Sequence, residues 1–182
     1  AVEVVRDSIG VDAPIALAEQ VHGNHVQRVA KPGFYSDTDA FITSEKELLI
    51  GVKIADCAAI LISDPTSGQI AAVHAGWRGA VADILPKTLR KLEAAGGDPK
   101  FYQCYITPCL SVNNFEVGDE VARQFPKAYL DSSFGVKAHL NLKAYLTDQL
   151  QHSGVPLSSI TIDPRCTVND TTFYSYRRER DK

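Results

Sequence analysis

Apolar residues along this chain follow two spacings, and the change from one to the other outlines the expected fold. Residues 48–54, 58–63 and 69–75 are short runs rich in Val, Ile, Leu and Ala. Runs of that length fit buried strands. Asp64-Pro65-Thr66-Ser67-Gly68 separates the second run from the third and carries turn residues, which predicts a hairpin with a long loop. After Gly79 the spacing becomes helical, with Val81, Ile84, Leu85, Leu89 and Leu92 on one face until Gly96-Gly97 stops it. Pro86 lies inside this stretch and predicts a kink or a broken first turn. Residues 101–106 read as a strand and residues 119–125 as a short helix closed by Pro126. Leu142, Tyr145, Leu146 and Leu150 mark a second amphipathic helix, ended near Gly154 and Pro156. Residues 160–162 and 172–176 read as late strands. Strands and helices mix without strict βαβ alternation. The expected class is therefore α/β in the broad sense, mixed α+β layers, not a doubly wound sheet.

Composition narrows this little. The 182 residues are 45% hydrophobic and 23% charged, ordinary for one domain spanning residues 1–182. A net charge of −3 gives no electrostatic case for nucleic acid or an anionic membrane. No apolar run approaches the ~20 residues that span a bilayer, and no secretory signal is visible. The four cysteines, Cys57, Cys104, Cys109 and Cys166, form no CxxC pair. They are too sparse for a disulfide scaffold, so a reducing, cytoplasmic setting is expected.

Three residues carry candidate chemistry: His22 in Gln20-Val21-His22-Gly23, Cys57 after Asp56, and His74 before Ala75-Gly76-Trp77-Arg78-Gly79. Two imidazoles and a thiolate suit zinc and leave its fourth position open. The same residues could form a Cys–His nucleophile pair. The predicted hairpin brings Cys57 and His74 to one open end, and His22 must arrive from a separate segment. Gly76 to Gly79 reads as a turn from strand into helix, where Arg78 and free N–H groups would receive an anion. Tyr176-Arg177-Arg178 adds a second small basic patch, with Arg177 a further phosphate candidate. Cys104 reads as core. Cys166 reads as core filling or as part of the site's lining. His25 reads as a surface residue or a supporting group, and His139 and His152 receive no role.

Taken in order, Gln20-Val21-His22-Gly23, Asp39-Ala40, Ala55-Asp56-Cys57, His74-Ala75-Gly76-Trp77-Arg78-Gly79, Phe115-Glu116-Val117-Gly118, Arg165-Cys166-Thr167 and Phe173-Tyr174-Ser175-Tyr176-Arg177-Arg178 resemble the YfiH family. That family is also called the laccase-domain, multicopper polyphenol oxidoreductase or peptidoglycan editing factor family. The resemblance runs from about Gln20 to Arg178. It implies a layered sandwich similar to the catalytic domain of cytotoxic necrotizing factor, with zinc held by residues matching His22, Cys57 and His74. It implies phosphorolysis of adenosine, inosine, guanosine and methylthioadenosine, and deamination of adenosine. The chain is expected to lack part of the family's N-terminal segment. The usual Gly-Pro-x-Ile-Gly stretch is Thr107-Pro108-Cys109-Leu110-Ser111 here, and the usual Asp-Leu is Asn141-Leu142.

The older laccase label implies copper and phenol oxidation. Five histidines and no methionine are poor material for several copper centres or for a blue-copper site with an axial Met. Zinc suits deamination, because it lowers the pKa of bound water towards ~7. Phosphorolysis instead needs a cradle for phosphate. Purine nucleosides and phosphate are the expected small-molecule partners, and the oligomeric state is not legible. A cysteine hydrolase built on Cys57 and His74, including one editing peptidoglycan precursors, remains the alternative.

Overall fold

The structure is a computed structural model that describes residues 10–180. A six-stranded mixed sheet organises it. Its members in chain order are β2 (Val26–Arg28), β4 (Ala40–Thr43), β6 (Ala58–Asp64), β7 (Gln69–Ala75), β8 (Gln103–Ile106) and β11 (Ile160–Ile162). They lie side by side as β11-β8-β6-β7-β4-β2. The β6–β7 hairpin sits at the centre, pairing Ala58 with Ala75 and Asp64 with Gln69. It is the hairpin the apolar runs predict. A second, parallel sheet holds β3 (Gly33–Tyr35), β1 (Ile15–Ala18) and β5 (Leu49–Gly51) in that order. Residues 48–54 thus form a strand only at their centre. β9 (Leu130–Asp131) and β10 (His139–Leu140) make a small antiparallel pair.

Alternation along β4 shows how the layers are built. Ala40 and Ile42 join the large core, whereas Phe41 joins a separate cluster with Ala16, Ala18, Val29 and Leu48. Successive strand residues face opposite ways, so helices cover one face and the small sheet covers part of the other. The helical stretch after Gly76 is broken in two, as α1 (Trp77–Val81) and α2 (Ile84–Ala94). Asp83 between them has φ 62°, a left-handed conformation that an α-helix does not accommodate. Pro86 therefore falls in the first turn of α2, where its missing N–H costs nothing. Ile84, Leu85, Leu89 and Leu92 face the sheet as the spacing predicts.

The short helix predicted over residues 119–125 is α3 (Asp119–Ala122). The second amphipathic helix is α4 (Leu142–His152), and Asn141 caps it by accepting from the Ala144 N–H at 3.1 Å. Asn and Asp cap equally well, which explains why this substitution is tolerated. Residues 99–101 form a single 3-10 turn, and the strand begins only at Gln103. Residues 172–176 are not a strand. Asp170 accepts from both the N–H and the hydroxyl of Thr172, folding this stretch into a turn. The helix α5 (Tyr176–Arg180) follows. No helix among the described residues is long and apolar enough to cross a membrane.

Asp64 ends β6 and organises the central hairpin's turn. It accepts from Thr66 N and Oγ1 at 2.9 and 2.6 Å, and from Ser67 N and Oγ at 3.3 and 2.6 Å. Burial alone would raise its pKa, but these donors hold it down at about 2. Its folded value lies below the ordinary 3.8, so its contribution is complete above that pH and is lost as pH falls towards 2. Asp64→Ala is expected to cost about 2–3 kcal/mol at pH 6. The urea midpoints of variant and wild type, measured between pH 6 and 2, should converge at the acid end.

Candidate metal centre

One end of the six-stranded sheet gathers the chemistry-bearing residues. β6 begins there and β7 ends there, so Cys57 and His74 become neighbours in space. The loop before β2 brings His22 to the same place. The ligand atoms of these three side chains all lie within 4.8 Å of one another. The His22 and His74 rings meet edge to face, 4.9 Å between centroids. This is the donor set expected from the sequence, assembled from three separate segments.

Asp39, fully buried just before β4, holds two of the three in place. Its carboxylate accepts the backbone N–H groups of Val21, His22 and Gly23 at 3.3, 3.0 and 2.8 Å. Three successive N–H groups closing on one anion make a nest, and here it fixes the His22 loop. The same carboxylate lies 2.8 Å from His74 Nδ1, which leaves Nε2 to face the other donors. A carboxylate behind a ligating imidazole sets its tautomer and aim. Burial would raise Asp39, but the His74 ring and the N–H groups of Gly23 and Val21 hold its carboxyl below the usual range.

The backbone at this end is strained as well. His22 has φ 60° and Asp56, next to Cys57, has φ 83°. Neither is glycine, and such conformations persist only where the surroundings impose them. For Asp56 those surroundings are Thr167 Oγ1 at 2.6 Å and Arg177 N at 2.7 Å, one on each carboxylate oxygen. Gly76 is needed for room. A Cβ there would lie 2.8 Å from Cys57 Sγ and 3.3 Å from His22 Cδ2.

The donors suit a soft divalent cation in kind and spacing. Burial, reinforced by Asp56 and Asp39, pushes the Cys57 thiol up to about 11, with Arg78 opposing. Burial and the neighbouring His74 lower the pKa of His22. Both shifts favour the uncharged forms of the thiol and the imidazole. A bound metal reverses that preference by drawing out the thiolate.

The centre opens into a cavity of about 670 Å³. Ile54, Trp77, Leu110, Phe115 and Leu142 supply apolar wall, and Lys53, Arg78, Arg177 and Arg180 bring positive charge. Arg78 is exposed and stacks on Trp77, with its guanidinium carbon 4.4 Å from the ring centroid. Arg177 lines the cavity too, yet its guanidinium donates to the carbonyls of Asn114 and Glu116 at 2.8 to 3.2 Å. Arg178 turns away and donates to Thr167, Val168 and Phe173 carbonyls. Both arginines fasten the C-terminal segment. Leu110 brings the divergent 107–111 segment to the cavity wall. Thr107, where glycine is usual, uses its hydroxyl to accept from Ala59 N at 2.9 Å.

Cys104 is core, 3% exposed. Cys166 is buried outside the cavity lining and accepts from Ser111 N and Asn114 Nδ2, both at 3.3 Å. His25, His139 and His152 each place Nδ1 near a backbone carbonyl away from the centre. Sequence reasoning gave no role to Asp39, Asp56 or the side chain of Gln20. Asp39 did leave signals, an acid at the head of the apolar run 40–42 and a place in the Asp39-Ala40 motif.

A family model described as multi-copper polyphenol oxidoreductase laccase matches residues 2–182. The chain belongs to this family, the YfiH family. Among its relatives, a purine nucleoside phosphorylase of Corynebacterium glutamicum is 35% identical over 184 residues, covering 96% of this chain and 74% of the relative. An adenosine deaminase from an unknown prokaryotic organism is 34% identical over 148 residues, covering 77% of this chain and 56% of that protein. The crystal structure of YlmD from Geobacillus stearothermophilus matches with a TM-score of 0.91 at 25% identity, covering 98% of this chain and 73% of that one. The YfiH fold expected from the motifs is therefore the fold observed, and the chain's named relatives are enzymes of purine nucleosides.

Proposed function

We propose that the chain is a zinc-dependent purine nucleoside enzyme. In this reading it phosphorolyses adenosine, inosine, guanosine and methylthioadenosine, and it deaminates adenosine. The observation that carries the proposal is the convergence of His22, Cys57 and His74 in the lining of a cavity of nucleoside-binding size. The names of its relatives support the substrate class.

Zinc held by these three residues supplies Lewis acidity. The chain's own residues do the rest. Asp39 keeps His74 and the His22 loop aimed, so the donors need not reorganise during turnover. Leu110, Phe115 and Trp77 give the purine apolar surface and keep water from it. In phosphorolysis a phosphate oxygen bonds to C1′ as the bond from C1′ to the purine nitrogen breaks. Arg78 holds that phosphate through charge-assisted hydrogen bonds. The supporting argument is its position: exposed, inside the cavity, and without a carboxylate partner among the described residues. The helix whose first turn contains it has only five residues and adds little dipole.

One contact favours a second reading. Asp39, His74 and Cys57 in sequence also fit a cysteine hydrolase, with Asp39 orienting the base. Chelation separates the two, since it abolishes a zinc enzyme and spares or stimulates a thiol hydrolase. Copper chemistry is weaker still, because the described residues offer a single three-ligand cluster. The test is product analysis with adenosine, with and without phosphate. Adenine formed only with phosphate and inosine formed without it are expected. Neither product from zinc-loaded protein would overturn the proposal.

A further inference from the structure

Inorganic phosphate carries between one and two negative charges at neutral pH, and one exposed arginine is a weak holder for it. A second cation is therefore to be sought around the same cavity. Arg177 is the candidate that sequence favours, but its guanidinium is committed to two backbone carbonyls and its N–H to Asp56. Its charge serves to anchor the C-terminal segment.

Lys53 is different. It lines the cavity, it is exposed, and its ammonium has no hydrogen bond or ion pair among the described residues. Its backbone, by contrast, is fixed. Gln20 Nε2 donates to Lys53 O at 2.6 Å, and Lys53 N donates to Gln20 Oε1 at 2.8 Å. This reciprocal pair staples the segment leading to Cys57 onto the segment leading to His22. The Lys53 Cα thus has a defined place relative to the metal centre, while the side chain stays free to reach a ligand. Asp56 is the acid in the cavity lining, and both its oxygens already have donors. In a chain of net charge −3, the cavity is a local positive site.

We propose that Lys53 and Arg78 together form the binding site for the inorganic phosphate co-substrate, with the Gln20 side chain positioning Lys53. This rests on the phosphorolysis reading for its purpose, though not for its geometry. It follows that Lys53 governs the KM for phosphate more than the KM for the nucleoside.

The test is titration of the zinc-loaded protein with inorganic phosphate, followed by calorimetry or by phosphorus NMR. Lys53→Ala should weaken phosphate binding about tenfold, the loss expected for one charge-assisted contact. Lys53→Arg should recover most of it. Lys46→Ala, a lysine exposed in a turn and outside the cavity lining, is the control for general charge effects. Because the staple uses only the backbone of residue 53, Lys53→Ala should keep its metal content and its melting temperature. Wild-type affinity in Lys53→Ala, an equal loss in Lys46→Ala, or no phosphate binding by the wild type would each overturn the proposal. The companion assay is adenine release from adenosine. Phosphate binding that depends on Lys53 without adenine release would sink the phosphorolysis reading and leave the site standing. Adenine release with phosphate binding indifferent to Lys53 would do the reverse.

Discussion

Cys57→Ala is expected to lose bound zinc and purine turnover together, while Cys104→Ala keeps both. Cys57 is the anionic member of the donor set. Without it two neutral imidazoles face the cation and no anionic ligand balances it. Zinc sites release roughly 10–16 kcal/mol on binding, so the loss of one ligand of three is worth about 4 kcal/mol, or on the order of a thousandfold in affinity. Cys104 lies in β8 with its side chain in the core. Its truncation removes packing alone, about 1 kcal/mol. Metal content and adenosine turnover measured on both variants decide the matter. A Cys57→Ala protein that retained zinc would mean that the thiolate is not a ligand.

Asp39→Ala is expected to be the most damaging single change to the fold around the centre. It strips an acceptor from three backbone N–H groups and from His74, in a place closed to water. Removing one partner from a buried charged pair costs about 3–5 kcal/mol, and the orphaned donors keep the effect at the upper end. The His22 loop then has nothing to impose its left-handed conformation. Asp39→Asn keeps the shape but offers one oxygen where two are used, and its amide would oppose the N–H donors. That variant should fold and bind zinc roughly 10- to 100-fold more weakly, the usual consequence of removing a carboxylate behind a ligating histidine. Chelator competition for zinc and thermal melts, run on both variants, separate the two effects. Wild-type zinc affinity in Asp39→Asn would show that the carboxylate only supports the loop.

The contrast between these residues shows what the sequence could and could not disclose. Cys57 and His74 were legible because Cys57 precedes one apolar run of strand length and His74 lies at the end of the next, with a turn joining the runs. Pairing those runs is a local inference, and it places the two residues at one end. His22 was legible as a residue type in a glycine-marked loop, although nothing local says where that loop goes. Asp39 was hidden because its role arises from four donors on segments 16 to 35 positions away. The Gln20–Lys53 staple spans 33 positions and depends on register that periodicity does not fix. Arg177 illustrates the opposite case, since nothing in the sequence shows that its guanidinium donates to the carbonyls of Asn114 and Glu116. Residues 172–176 were misread because alternation alone cannot show that no strand edge lies alongside, and Asp170 turns the chain there instead.

Elemental analysis and metal-edge X-ray absorption on protein purified without added metal decide whether His22, Cys57 and His74 hold zinc. One zinc per chain is expected, with two nitrogen ligands and one sulfur ligand from the protein. Copper in its place, or a metal-free protein with full turnover of adenosine, would contradict it.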